Sequence, residues 1–341
     1  MGEYDTSWLQ SGFTASEPRP ARLGPTTLMI EEFETTTPAG PKVWAIGGGK
    51  GGVGKSIVTA NLAVAVARRG LRVAVIDADL GGANLHTMVG VPSPKVNLAD
   101  FISRRVSTLA EIMTPTPIDN LWLISGAKAL LETANPNYGQ KFKILSHISK
   151  LEVDHVFLDL GAGTAFNVLD FFLVARKGIL VVVPEATSVE NAYFFIKAAY
   201  FRKLKRAQPR AQVKAAIDRV MNTEARSSVR TPRDLMAQVM MVDAEAGAAL
   251  MEEASTFSPS VIINRVERSE QARLGAEMGS ACRDYFGIRL RCLGTLPFDN
   301  LVRRSVDERR PAVDVYPQST FASAIRHTAE SFTEPPTEED G

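Results

Sequence analysis

Gly47-Gly48-Gly49-Lys50-Gly51-Gly52-Val53-Gly54-Lys55-Ser56 follows a short apolar run, Val43 to Ile46, and leads into a helical pattern over 56–69. Between Gly49 and Ser56 it satisfies the pattern G-x-x-x-x-G-K-[ST]. A strand that turns tightly into a helix aims successive backbone N–H groups and the helix dipole at one point, where a phosphate can sit. Gly49, Gly51, Gly52 and Gly54 let that backbone wrap phosphates with no side chain in the way. Lys55 is placed to reach the β- and γ-phosphates, and the Ser56 hydroxyl to ligate Mg²⁺. With Val53 and Ile57 these residues form the expected nucleotide-binding segment. The loop also carries a second lysine, Lys50, for which an ordinary phosphate loop has no use. Lys50 suggests a clamp between two copies of the chain.

Working outward, the chain alternates strand and helix. Apolar, β-branched runs bounded by turn residues fall at 43–47, 72–77, 121–124, 155–160, 179–183, 259–264 and 289–296. Helical patterns at 56–69, 139–150, 165–176 and 188–206 lie between most of them. Ile179-Leu180-Val181-Val182-Val183 is apolar throughout, as suits a parallel sheet covered on both faces. The expected fold is α/β, a mostly parallel β-sheet flanked by helices on both faces. One stretch breaks the rhythm: residues 203–257 carry no strand pattern and read as a helical insertion. Its basic run (Arg202, Lys203, Lys205, Arg206, Arg210, Lys214, Arg219) is expected to be a solvated helix face, and Asp234 to Glu253 one helical segment.

Parallel strands bring their carboxyl ends to the ligand crevice. Val73-Ala74-Val75-Ile76 ends in Asp77-Ala78-Asp79, and His155-Val156-Phe157-Leu158 ends in Asp159. Hydrolysis needs a group that orients an in-line water, and Asp79, just past its strand, is the candidate. Asp77 and Asp159 are placed to hold the magnesium through water.

Lys50-Gly-Gly-Val-Gly-Lys55-Ser56, the block from Asp77 and Asp79 to Asn84, and the strand ending at Asp159 resemble the deviant Walker A ATPases of the MinD/ParA family. Pro184-Glu185-Ala186-Thr187-Ser188, followed by Asn191-Ala192-Tyr193, resembles the MinD-like branch that includes the flagellar number regulators FlhG and FleN. The resemblance covers about 42–200 and 259–325. It implies a P-loop ATPase switch that takes ATP and Mg²⁺, dimerises on binding and is released by hydrolysis. Such a switch would control the position or number of a cellular structure; an antiactivator of a transcription factor or a nucleoid-binding partition ATPase is the alternative. Lys50 would cross the dimer interface to the partner's phosphates, with Lys55 and Asp79 completing the catalytic set. Asn264, in Val261-Ile262-Ile263-Asn264-Arg265, would meet the adenine edge, and Pro297 would line the base pocket.

The remaining chain limits these readings. Net charge is +1 over 341 residues, so no global field favours nucleic acid or an anionic membrane. Cys282 and Cys292 lie too far along the chain, in a helix and a strand, for a metal-cluster carrier of the same superfamily. No apolar run reaches the ~18 residues of a membrane span, and a cytoplasmic protein is expected, recruited to a pole or membrane surface only through a partner. The helical pattern 319–332 has Arg326 and His327 as its basic residues, which makes it a poor lipid anchor. Residues 1–41, with five prolines, read as a disordered leader, 42–332 as one ATPase domain and 333–341 as an acidic tail. A protein partner is expected to bind through the insertion or the leader.

Overall fold

The computed structural model describes residues 40–79, 82, 84–126, 138–175, 177–207, 213–214, 217 and 231–333. The leader up to residue 39, the tail beyond Thr333 and the middle of the insertion, with Arg210 and Arg219, lie outside the described residues.

The strands are β1 Lys42–Gly47, β2 Val73–Ala78, β3 Thr114–Pro115, β4 Leu121–Ile124, β5 His155–Leu160, β6 Lys177–Val182, β7 Ser260–Val266 and β8 Arg291–Pro297. They form one sheet in the order β3-β4-β2-β5-β1-β6-β7-β8. All pairings are parallel except β3 with β4. The antiparallel edge strand has no counterpart among the apolar runs of the sequence. Its two residues are too few to show a period of two, and Pro115 sits there because an edge needs no donor on its outer side.

The longer helices are α1 Lys55–Ala67, α2 Tyr138–Ile148, α3 Phe166–Val174, α4 Ala186–Ala207, α5 Pro232–Val242, α6 Ala244–Ser255, α7 Leu274–Phe286, α8 Asn300–Asp307 and α9 Thr320–Thr333. Alternate strand residues feed two cores. Trp44, Ile46, Val73, Val75 and Phe157 pack with α1 and α9 on one face, and Val43, Ala45, Ala74, Ile76 and Leu158 pack with α3 and α4 on the other. Both faces are therefore dry, which is why the strands read as apolar throughout. The apolar side of α9 (Phe321, Ile325, Ala329, Phe332) is buried in the first core, and the helix runs to Thr333.

The expected single helix over 234–253 is two helices. Thr231 caps α5 in a capping box with Asp234; Asp243 ends α5 and caps α6 by accepting from the Ala246 N–H at 2.9 Å. An aspartate that satisfies backbone donors outside a helix makes a natural break there. The hairpin buries Leu235, Val239 and Leu250, and Glu253 pairs with Lys203 of α4 at 2.7 Å. Arg202 and Arg206 of α4 turn to Asp170 of α3. The basic run is thus not the solvated face expected from sequence: three of its cations have carboxylate partners within the fold.

At the amino ends of β1 and β5 the buried Trp44 indole N–H donates to His155 Nδ1 at 3.0 Å, and Phe332 meets Trp44 edge-on with ring centroids 4.6 Å apart. Trp44→Phe retains an aromatic ring but removes that donor from a buried imidazole. The variant should fold and lose about 1–3 kcal/mol of stability in a urea titration at neutral pH.

Candidate nucleotide-binding site

Register decides where the acidic groups meet. Asp77 of β2 lies opposite Asp159 of β5, and Ile46 of β1, one residue before the glycine loop, lies opposite Asp159 on its other side. Three parallel strands thereby deliver two aspartates and the phosphate loop to one edge.

The loop is built around close approaches. Gly54 precedes α1 with φ 93°, a conformation that favours glycine, and a Cβ there would lie 2.5 Å from Asn264 Nδ2. A Cβ at Gly49 would meet the Asn191 carbonyl oxygen of α4 at 2.1 Å. At Gly51 a Cβ would meet nothing within 4 Å and φ is not positive, so neither packing nor backbone calls for glycine.

Lys55 is buried at the head of α1, and Ser56 hydrogen-bonds the Asp159 carboxylate. Thr59, one turn on, donates to Asp159 Oδ1 at 3.3 Å. Asp77 accepts from the Asp79 N–H at 3.2 Å and the Leu85 N–H at 3.0 Å. Both aspartates are 1% exposed. Burial pushes the Asp77 carboxyl up to about 8, with the Asp159 charge adding to it. Burial raises Asp159 to about 6, against the pull of the Ser56 hydrogen bond and the Lys55 charge. The Asp79 carboxylate sits between two glycines: a Cβ at Gly82 or at Gly161 would come within 3.3 Å of it.

Lys50 does not point into its own phosphate loop. Its ammonium donates to Thr187 Oγ1 at 3.0 Å and lies 3.4 Å from Glu185 Oε2, with side-chain exposures of 43% and 56% for Lys50 and Glu185. Asn264, at the carboxyl end of β7, donates its amide to the Val53 carbonyl at 2.8 Å. The structure therefore brings this residue against the phosphate loop. Arg265 follows it, exposed and with φ 57°, and Pro297 ends β8 opposite Val266 on the same sheet edge. Ile57 is half-buried in the first turn of α1. Thr59 has no part in the sequence-based expectations, and Glu185 and Thr187, quoted there only as part of a resemblance, are found here as the partners of Lys50. Only Thr59 left a signal, its spacing of four from Lys55 on a helix.

These groups suit a magnesium nucleotide. Two desolvated carboxylates with raised pKa gain most from a nearby cation. Among the described residues no group of three or more His, Cys, Asp or Glu side chains could hold a metal. A magnesium ion would therefore take the Ser56 hydroxyl, phosphate oxygens and waters supported by Asp77 and Asp159, in keeping with its reluctance to dehydrate.

The doubly wound sheet with a glycine loop feeding a buried lysine defines a P-loop nucleotide-binding protein. A family model described as the CobQ/CobB/MinD/ParA nucleotide binding domain matches residues 44–312, and the chain belongs to that family. Antiactivator FleN of Pseudomonas aeruginosa is 26% identical over 291 residues, 85% of each chain. The flagellum site-determining protein YlxH of Helicobacter pylori is 32% identical over 165 residues, 46% of this chain and 53% of its own. Among solved structures, the cell division ATPase MinD of Pyrococcus furiosus superposes with a TM-score of 0.56 at 26% identity, covering 86% of this chain and 98% of its own.

Two measurements probe the site. Gly51→Ala should melt like the wild type yet lose nucleotide affinity by about tenfold or more, whereas Gly49→Ala should lower the melting temperature because a backbone carbonyl blocks its Cβ. The pH dependence follows from the raised carboxyls. A carboxyl whose pKa is raised on folding stabilises the fold when protonated, and this contribution is lost as pH rises through the folded-state value. Between pH 4 and about 8 the ligand-free protein should lose that contribution from Asp77, so Asp77→Asn should show a flatter decline in melting temperature over this range.

Proposed function

We propose that this chain is a magnesium-dependent ATPase switch that dimerises on ATP and is released by hydrolysis. The carrying observation is the convergence of Lys55, Ser56, Asp77, Asp79 and Asp159 at one sheet edge, with the half-exposed Lys50 on the rim beside them. Backbone N–H groups of 49–56 and Lys55 would hold the β- and γ-phosphates. Magnesium, when bound, supplies charge neutralisation at those oxygens. Asp79, between Gly82 and Gly161, would orient the attacking water. Lys50 would leave Thr187 and Glu185 and reach phosphates held by a second copy, adding a cation where charge develops. Asn264 keeps a second amide hydrogen and its oxygen for a base edge while bracing Val53, with Arg265 and Pro297 beside it. The base is read as adenine.

In the cell we assign the switch to positioning or counting a structure such as a flagellum or division site. The similarity to FleN over 85% of both chains supports a second reading, an ATP-dependent antiactivator that grips a transcription factor. In either reading the partner docks through the insertion or the leader. Nucleic acid is not favoured, since cations of the basic run face inward. We further propose a division into a leader (1–41), one ATPase domain (42–332, with the insertion at 203–257) and a tail (333–341).

Lys50→Ala should bind ATP but fail to dimerise with it; unchanged ATP-dependent dimerisation by light scattering would remove the clamp. Asp79→Ala should accumulate as an ATP-bound dimer, and wild-type turnover in that variant would exclude its water-orienting role.

A further inference from the structure

Helix α3 reads Phe166-Asn167-Val168-Leu169-Asp170-Phe171-Phe172-Leu173-Val174, and Asp170 is its one charged residue. A carboxylate in so apolar a helix is costly unless paired. Its side chain is 9% exposed and meets three cations: Lys141 Nζ of α2 at 2.7 Å, Arg202 Nε of α4 at 2.5 Å, and Arg206 of α4. Burial alone would push this carboxyl up; the hydrogen bond from Arg202, the Arg206 charge and Lys141 reverse this and hold it below the usual carboxylate range. The guanidinium of Arg202 also lies 4.5 Å from the ring centroid of Phe166, the first residue of α3.

What α3 carries at its head matters to the site. The loop 161–165 joins Asp159's strand to α3. Its Gly161 abuts the Asp79 carboxylate, and its Gly163 N–H donates to the Gly48 carbonyl of the phosphate loop at 3.1 Å. Ala162, Thr164 and Ala165 are exposed, and Ala165, the N-cap of α3, offers no side-chain cap. Apart from the Gly163 bond and the buried Gly161, the loop therefore has little packing of its own, and its position depends largely on its two ends. One end is the strand. The other is a helix whose apolar contacts are non-directional, while its ion cluster fixes one setting relative to α2 and α4.

We propose that Asp170 is a positioning residue for ATP hydrolysis: gripped by Lys141, Arg202 and Arg206, it sets where α3 begins and hence where loop 161–165 supports Asp79. This inference rests on the ATPase reading above. On that reading the nucleotide is held by the 49–56 loop and by the ends of β7 and β8, none of which is an ion partner of Asp170, so disturbing Asp170 should slow turnover without weakening binding.

The test compares wild type, Asp170→Asn, Asp170→Glu and Arg202→Gln as full-length protein, with ADP affinity from a fluorescent analogue and turnover from phosphate release. Asp170→Asn should keep ADP affinity within about twofold and lose about tenfold or more in kcat, in line with the roughly 10²-fold that a 1 Å misplacement can produce. Asp170→Glu should restore most of it, and Arg202→Gln, which leaves Lys141 and Arg206 in place, should show a smaller fall of the same kind. A folded Asp170→Asn with wild-type kcat, or one losing affinity and kcat in proportion, overturns the proposal. If Asp170→Asn does not fold, Arg202→Gln decides by the same criteria. A wild type that binds ADP but releases no phosphate from ATP instead overturns the ATPase reading.

Discussion

Two buried carboxylates facing each other across adjacent parallel strands impose the main constraint on this fold. Asp77 and Asp159 are opposite in register, nearly inaccessible to water, and each is raised in pKa chiefly by that burial. The surrounding residues manage this pair: backbone N–H groups of Asp79 and Leu85 for Asp77, and hydroxyls of Ser56 and Thr59 with the Lys55 charge for Asp159. The sheet order follows the same need. Placing β5 between β1 and β2 puts the glycine loop, Asp77 and Asp159 in one row, where a cation carrying phosphates can relieve both acids at once.

Helix α4 connects this edge to the rest of the chain. Its first turns hold Lys50 through Thr187 and press the Asn191 carbonyl against Gly49. Its later turns hold Asp170 and the α5–α6 hairpin. A long helix with one side packed into the core transmits displacement better than a loop, because packed interiors deform little. The hairpin joined to it is thus a physical continuation of the lysine's support.

Much of this was legible in the sequence because the features are periodic or covalently local. The glycine loop, the strands ending in Asp77 and Asp159 and the apolar runs of a covered sheet each show within a few residues, and the strands fall where expected within about two residues. What was hidden depends on distant residues meeting. The Lys50 support from Glu185 and Thr187, the Asn264 brace on Val53 and the inward turn of Arg202 and Arg206 all join segments far apart along the chain. The short antiparallel β3 carried too few residues for a period, and the break at Asp243 was masked by the helical spacing on either side of it.

The closure of α9 over the first strand has a consequence for synthesis. Trp44 of β1 is covered by Phe332, and β1 itself lies between β5 and β6, so the first of the described strands is completed by some of the last described residues. The core on that face cannot be sealed before α9 has been made. Until α9 docks, an apolar face of the sheet stays open to solvent and to other chains, the condition under which aggregation competes with folding. The strand that bears the glycine loop is thus covered on this face only when α9 docks.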